Sequence, residues 1–376
     1  MYKIFVSGFA YDDGKSGISN YIDNVVKCLA QEHHVDVMVL KKDAAMFSER
    51  NPDVNLKILP DWMGKSAVNA MLHLFILPFM LNLKQYDFIF LPAGNRRLFC
   101  RFPKWTVTTF HDLSQFHLKG KYDKLRTFYV FNVLRRALLK VDSICAISKS
   151  TANDIKHFYK IGDDKIFINY NGFDKNRIED KSVTVNDLQE KYGIDGKFLL
   201  YVARIEHPGK NHLNLVKAYE KLPQDIRDQY SLVFAGSDWS GAQAVHEYVS
   251  SSPVCDRVKF CGFVDDSYLS ALYRYASLYV FPSYCEGFGI PMLEAMAAET
   301  PVVCSDRTSL PEIGGDAVIT FEPEDCYQIS DSIFKVLTDN ALYDRLVSNG
   351  CERVKDFDWK KHAERIVKEY ERGNTR

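Results

Sequence analysis

At 376 residues the chain is long enough for two domains of ordinary size, or one unusually large one. With 46% hydrophobic and 26% charged residues it is not a disordered, collagenous or coiled-coil chain, and a net charge of −1 is not that of a dedicated nucleic-acid binder. Nine scattered cysteines with no CxxC pair argue against a zinc site and a disulfide framework, and fit a reducing cytoplasm.

The N-terminal MYKIFVSGFAY is too short in apolar residues for a signal peptide and reads as a first strand. Ile18–Ala30 is expected to be helical, with Ile22, Val25, Val26 and Leu29 at helical spacing. Strands are expected at Val35–Leu40, Phe88–Leu91, Trp105–Phe110, Ser143–Ile147 and Lys165–Asn169. Helices are expected over Leu125–Leu139 and from the cap residue Ser148 to Tyr159. The apolar stretch Ala67–Leu83 falls short of the ~20 residues a spanning helix needs. It reads as a buried helix or as one whose apolar face touches a bilayer. Between Arg96 and Lys140 eleven Lys and Arg face only Asp112 and Asp123, an excess of +9 over 45 residues. That run is either a solvated face or a surface for anionic lipid or a phosphate-bearing acceptor.

The polar segment Asp174–Gly196 reads as a linker with a short helix, after which the alternation restarts. Strands are expected at Phe198–Ala203, Ser231–Ala235, Val258–Cys261, Leu278–Phe281 and Val302–Ser305. Helices are expected at His212–Leu222, Ser267–Tyr275, Pro291–Ala298 and Gln328–Asn340. Alternating strands and helices mean βαβ units and parallel sheets. The expected fold is α/β, with two Rossmann-like doubly wound domains facing a central cleft. The division is 1–174, a linker at 175–196, a second domain at 197–355 and a final segment at 356–376.

The sharpest motif is Phe281–Pro301, FPSYCEGFGIPMLEAMAAETP. A strand ends at Phe281, a glycine-rich loop follows, and Pro291 suits a first helical position. Backbone N–H groups around Gly287, Phe288 and Gly289 would point outward at that helix start, as an anion site suited to phosphate. Glu286 and Glu294 flank it, and carboxylates there suit hydrogen bonds from neutral hydroxyls such as those of sugars. A Rossmann dehydrogenase lacks support, because the third glycine of GxGxxG is missing. A hydrolase could use two carboxylates but has no use for a phosphate site.

Glu286 to Glu294 with GFG and PMLEAMA between resembles the Glu-x7-Glu motif of retaining glycosyltransferase family 4, which has the GT-B fold. The resemblance runs along nearly the whole chain. Tyr201-Val202-Ala203-Arg204 and Lys210-Asn211 look like the family's pair for the donor diphosphate. Gly262-Phe263-Val264 looks like its strand into the nucleobase pocket, and Leu310-Pro311-Glu312 with Gly314-Gly315-Asp316 also match. In the first half Gly14, Gly17 and Ile18 resemble the glycine-rich first loop. His111-Asp112, Ser148-Lys149-Ser150 and Asn171-Gly172 stand at family positions, and Trp359 opens a last helix that in the family crosses back to the first domain. Two residues depart from the pattern. Glu299 stands where glycine is usual, at a cost of about 1 kcal/mol if the backbone is left-handed. Asn20 stands where several relatives have arginine.

The resemblance implies that Gly17, Arg204, Lys210, Gly262, Phe263, Glu286, Gly287, Phe288, Gly289, Ile290 and Glu294 bind the donor. His111, Glu286, Arg204 and Lys210 would serve catalysis, and Gly14, Asp112 and Ser148 the acceptor. Arg204 offers a planar fork for phosphate and Lys210 a point charge, although either could be an ordinary surface cation. His111 would touch the donor sugar, or be a hydrogen-bonded structural histidine. Asp112 could merely orient backbone and Ser148 merely cap its helix. Asp356-Phe357-Asp358, the only Asp-x-Asp, reads as capping chemistry rather than a metal site, and the family generally needs no metal or other cofactor. No carboxylate of the first half fits a covalent nucleophile, which for a retaining enzyme favours front-face attack.

The sequence therefore points to a cytoplasmic, metal-independent hexosyltransferase. The expected donor is GDP- or UDP-linked, and the acceptor is a glycan or lipid-linked saccharide of surface polysaccharide assembly. Peripheral contact with anionic membrane is expected, and no nucleic-acid partner. A sugar-nucleotide epimerase on the same fold and a non-catalytic carbohydrate-binding protein are the rival classes.

Overall fold

The computed structural model describes all residues except 15, 65–68, 70, 118–128 and 376. It divides into two units, Met1–Gly172 with Asp358–Arg376, and Phe173–Phe357.

The first unit holds a seven-stranded sheet of β1 (Lys3–Ser7), β2 (His34–Leu40), β3 (Asn55–Leu59), β4 (Phe88–Leu91), β5 (Trp105–Phe110), β6 (Ser143–Ala146) and β7 (Ile166–Ile168), in the order β3-β2-β1-β4-β5-β6-β7. Every pairing is parallel. Such strands are apolar on both sides because both faces are covered. Ile4, Val6, Phe88 and Phe90 serve one core, while their neighbours Phe5, Ile89 and Leu91 serve another. The helix Gly17–Ala30 starts where Ser16 accepts a hydrogen bond from the Ser19 N–H at 3.2 Å. It shares its core with Trp359, Ala363, Ile366, Val367 and Tyr370 of the last helix, Trp359–Asn374.

The second unit holds β8 (Lys197–Val202), β9 (Tyr230–Ala235), β10 (Val258–Phe260), β11 (Leu278–Phe281), β12 (Val302–Ser305) and β13 (Val318–Phe321), again all parallel, in the order β10-β9-β8-β11-β12-β13. β3 and β13, absent from the expected elements, are edge strands with half-exposed residues; Lys57 interrupts β3, whereas β13 is the short apolar run VITF. The helices Lys41–Arg50, Gln224–Gln229, Ala242–Ser251 and Asn340–Arg353 were also not expected, and each buries only two to three residues or one.

Residues 175–196, expected as a linker, belong to the second unit. Their helix Val185–Tyr192 carries a capping box of Thr184 and Asp187. Arg274 donates to the carbonyls of Asp180 and Val183, and Ser270 to those of Ile178 and Asp180. The segment is held down by these hydrogen bonds together with a few buried apolar side chains, Val183, Leu188 and Ile194.

Of the helix expected over Ala67–Leu83, residues 67, 68 and 70 lie outside the described residues, and the part from Met71 to Met80 has two sides. Leu72, His73, Leu74 and Leu77 are buried, whereas Met71, Phe75, Ile76, Phe79 and Met80 are exposed. The described part of the expected helix Leu125–Leu139 is Tyr129–Leu134, wound as a π-helix, continued by Arg135–Leu138. Among the described residues no helix is long and apolar enough to cross a membrane.

Ile366 is fully buried in the core shared with β1 and the helix Gly17–Ala30. Ile366→Ala should therefore destabilise the first unit by ~2–5 kcal/mol in denaturant unfolding, although it lies near the C-terminus. An unchanged midpoint would show that the last helix is not part of that core.

Candidate functional site

In a doubly wound sheet, polar loops gather beyond the carboxyl ends of the strands, and the crevice where strand order reverses is the usual ligand position. In the second unit the reversal lies between β8 and β11. Arg204 and Lys210 follow β8, and Glu286 follows β11.

Lys210 Nζ lies 2.6 Å from Glu286 Oε1, both side chains mostly out of water. Their loops are tied together. Tyr284 N–H donates to the Gly209 carbonyl, and Asn211 Nδ2 to those of Pro282 and Pro323. Tyr201, fully buried, donates to the Lys210 carbonyl and shares a 2.8 Å hydrogen bond with Ser283. The Glu286 N–H donates to Thr308, and Ser309 donates to the carbonyls of Glu286 and Phe288.

The helix beyond this loop is Ile290–Ala297, with Gly289 before it at φ +104. A Cβ at Gly289 would be strained and 2.8 Å from Leu310. Phe288 does not offer its ring to a ligand, because it is buried edge-on against Phe357. Gly262, at φ +63, lies two residues beyond the end of β10, in a loop rather than the expected strand, and Phe263 after it is 74% exposed.

Glu294 is almost fully buried, and both of its oxygens have partners. Arg177 Nη1 donates to Oε1 and the Tyr273 hydroxyl to Oε2, each at 2.8 Å. Burial pushes this carboxyl upward, against Arg177 and Tyr273, which hold it down. Neither partner was expected. Arg177 stands in the polar segment read as a linker, and Tyr273 gave no motif. Arg204, half exposed, reaches Glu206 at 3.3 Å and lies 4.7 Å from the Trp239 ring centre. Glu299 adopts φ +62, the left-handed conformation that glycine usually supplies there.

In the first unit His111 stands at the end of β5, buried, with Nε2 donating to the Pro92 carbonyl at 2.7 Å. That leaves Nδ1 as the acceptor nitrogen of a neutral ring. Its ring meets Tyr21 edge-on at 4.7 Å. His362 Nδ1 donates to the Tyr170 carbonyl, so its Nε2 accepts from the Tyr21 hydroxyl at 2.7 Å, and Tyr21 in turn accepts from Thr109. Tyr21 and His362 were not expected, since one looks like an ordinary helix residue and the other lies far along the chain.

Asp112 accepts from the Ser114 N–H and hydroxyl, orienting backbone. Ser148 is fully buried, and its hydroxyl is committed to a helix cap with Thr151. Gly14 has φ +69 against Arg50 and Met46, and Gly17 opens its helix with free space at its Cβ. In the Asp-x-Asp, Asp358 accepts from the Lys361 N–H as a cap and Asp356 pairs with Arg353.

The family model described as Glycosyl transferases group 1 matches residues 185–353, and that described as Glycosyltransferase Family 4 matches 15–177. The solved structure of Anabaena HepE in complex with UDP and glucose superposes with a TM-score of 0.75 at 18% identity, covering 98% of this chain and 99% of that one. Two such parallel-sheet units make the GT-B fold of glycosyltransferases. The O-antigen chain mannosyltransferase B of Escherichia coli is 31% identical over 265 residues, 70% of this chain and 69% of that protein. The serotype-specific mannosyltransferase WbdA of Escherichia coli is also 31% identical, over 75% of this chain but only 34% of its own length. The chain belongs to glycosyltransferase family 4 and is a sugar-transferring enzyme.

Burial pushes the imidazoles of His111 and His362 down to about 4, and those of His73 and His212 to about 3. Unfolded histidine titrates near 6.5, so in acid the unfolded chain binds the protons. Stability is intact above about pH 6.5 and falls as the pH drops toward about 4, by up to ~1.4 kcal/mol per pH unit for each ring. The melting temperature should fall across that window. A flat profile would mean that these rings take up protons without unfolding.

Proposed function

We propose that the chain is a retaining, nucleotide-sugar-dependent hexosyltransferase that extends a glycan, on a lipid-linked acceptor, in surface polysaccharide assembly. The observation that carries the reading is the Lys210–Glu286 ion pair at the point where strand order reverses. A nucleotide sugar offers each member a replacement partner. Its diphosphate suits the ammonium, and its sugar hydroxyls suit the carboxylate. The exposed Phe263 suits a base, and Arg204 with Lys210 suits a UDP or GDP diphosphate. The mannosyltransferase relatives favour mannose, whereas HepE holds UDP and glucose.

In the transfer step the bond from the anomeric carbon to the diphosphate oxygen breaks. The acceptor oxygen bonds to that carbon from the same face, and its proton passes to a phosphate oxygen. Arg204 and Lys210 stabilise the charge that builds on the leaving group, which is the main catalytic demand. Glu286 fixes the sugar ring. Glu294, held by Arg177 and Tyr273, keeps further lone pairs for ribose hydroxyls. Gly14 and Asp112 serve the acceptor, and His111 the donor sugar.

Membrane contact has its own support. Phe79 and Met80 are 61% and 66% exposed, and the Arg101 guanidinium lies 5.5 Å from the Phe79 ring centre. Arg96, Lys104, Arg136 and Lys140 of the basic run are also exposed.

Lys210→Ala and Arg204→Ala should each lower kcat by about 10²-fold or more, and activity within about threefold, ~0.7 kcal/mol, would place the clamp elsewhere. Glu286→Gln should cut the acceptor-dependent rate while leaving affinity for the bare nucleoside diphosphate nearly intact. Glu294→Ala should weaken that affinity directly. Equal losses of nucleotide affinity would defeat this division, and donor consumption without acceptor would favour the epimerase. The protein should also sediment with anionic vesicles at low salt and release at high salt. Failure to sediment would leave a solvated basic face.

A further inference from the structure

Trp239 has no part in the motifs above. It is 57% exposed, yet its backbone is tightly fixed. Beyond β8 and β9 the two loops continue to pair. Ile205 N–H donates to the Ser237 carbonyl, Trp239 N–H to that of Ile205, and His207 N–H to that of Ser240, each at 3.0 Å. Gly236 allows this approach, because a Cβ there would lie 2.1 Å from the Ala203 carbonyl oxygen. Asp238 is held in turn by His246 Nε2 at 2.9 Å. The ladder brings the indole to the Arg204 guanidinium, 4.7 Å from ring centre to the central carbon.

An arginine that must receive a diphosphate has conflicting needs. It must be held in one place, yet keep its N–H donors free. A carboxylate partner holds it by consuming donors and charge, as Glu206 does at Nη2. An aromatic face holds a guanidinium through its quadrupole and consumes no donor. Across the sheet edge the order is β10, β9, β8, β11, so Phe263, Trp239, Arg204 and Glu286 follow in sequence. Trp239 thus comes between the residue suited to a base and the one suited to diphosphate.

We propose that Trp239 is a positioning residue of the donor site, its ring face pre-orienting Arg204 for the donor diphosphate. The proposal rests on the donor-binding reading of Arg204 and is tested apart from it. UDP and GDP are titrated calorimetrically into the unmodified protein, Trp239→Phe, Trp239→Ala, Arg204→Ala and the Ala double variant, with melting temperatures as a check on folding. Donor KM and kcat are measured on the same proteins. Trp239→Ala should weaken binding of the preferred nucleotide about two- to fivefold and raise donor KM alongside. Trp239→Phe, which keeps a ring face, should restore most of the loss. In the Arg204→Ala background the tryptophan change should add nothing, because the group it positions is gone. Binding of neither nucleotide by the unmodified protein would overturn the donor-site reading itself. Nucleotide binding that ignores Trp239→Ala, that Phe does not rescue, or that falls equally in the Arg204→Ala background would overturn the role of Trp239 alone.

Discussion

An ammonium and a carboxylate 2.6 Å apart, mostly withdrawn from water, organise the carboxyl-end loops of the second unit. Withdrawing two charges is costly, and their attraction offsets that only when the surrounding geometry is fixed. Tyr201, Asn211 and Tyr284 tie the turn at Lys210 to the loop at Glu286, and Thr308 and Ser309 hold the far side of the Glu286 loop. The same pattern recurs at Glu294, where Arg177 and Tyr273 engage both oxygens. Each glutamate of the Glu-x7-Glu motif therefore has a cation of its own.

The first unit solves a different problem with neutral groups. His111, Tyr21 and His362 lie in a buried cluster where burial disfavours imidazolium. Carbonyls at Pro92 and Tyr170 fix which nitrogen of each ring carries the proton. The Tyr21 hydroxyl can then satisfy both Thr109 and His362 without any formal charge. One side chain from the helix Gly17–Ala30 and one from the last helix thus support the ring at the end of β5.

What the sequence made legible follows from where apolar surface is required. Interior strands such as Phe88–Leu91, Leu278–Phe281 and Val302–Ser305 are covered on both faces, and their bounds could be read directly as unbroken apolar runs. The edge strand β3 faces water and Lys57 breaks its run, whereas β13, VITF, is as apolar as Val302–Ser305 and was equally legible. The site was legible where a motif carries it, as at Glu286, Lys210 and Arg204. Arg177, Tyr273 and Trp239 were not, because each acts through a contact made by distant folding and stands in a local sequence without distinctive spacing. Ser148 was legible as a helix cap, and the structure shows its hydroxyl accepting from the Thr151 N–H at the start of the helix that follows.

The two units also differ in how the chain supplies them. Phe173–Phe357 is one continuous stretch, whereas the first unit needs residues from Asp358 onward to finish its core. The first unit can therefore complete its core only after the whole of the second has been translated, because Trp359, Ile366 and Tyr370 lie beyond it in the chain. Without those residues the apolar face of the helix Gly17–Ala30 has nothing to cover that part of it.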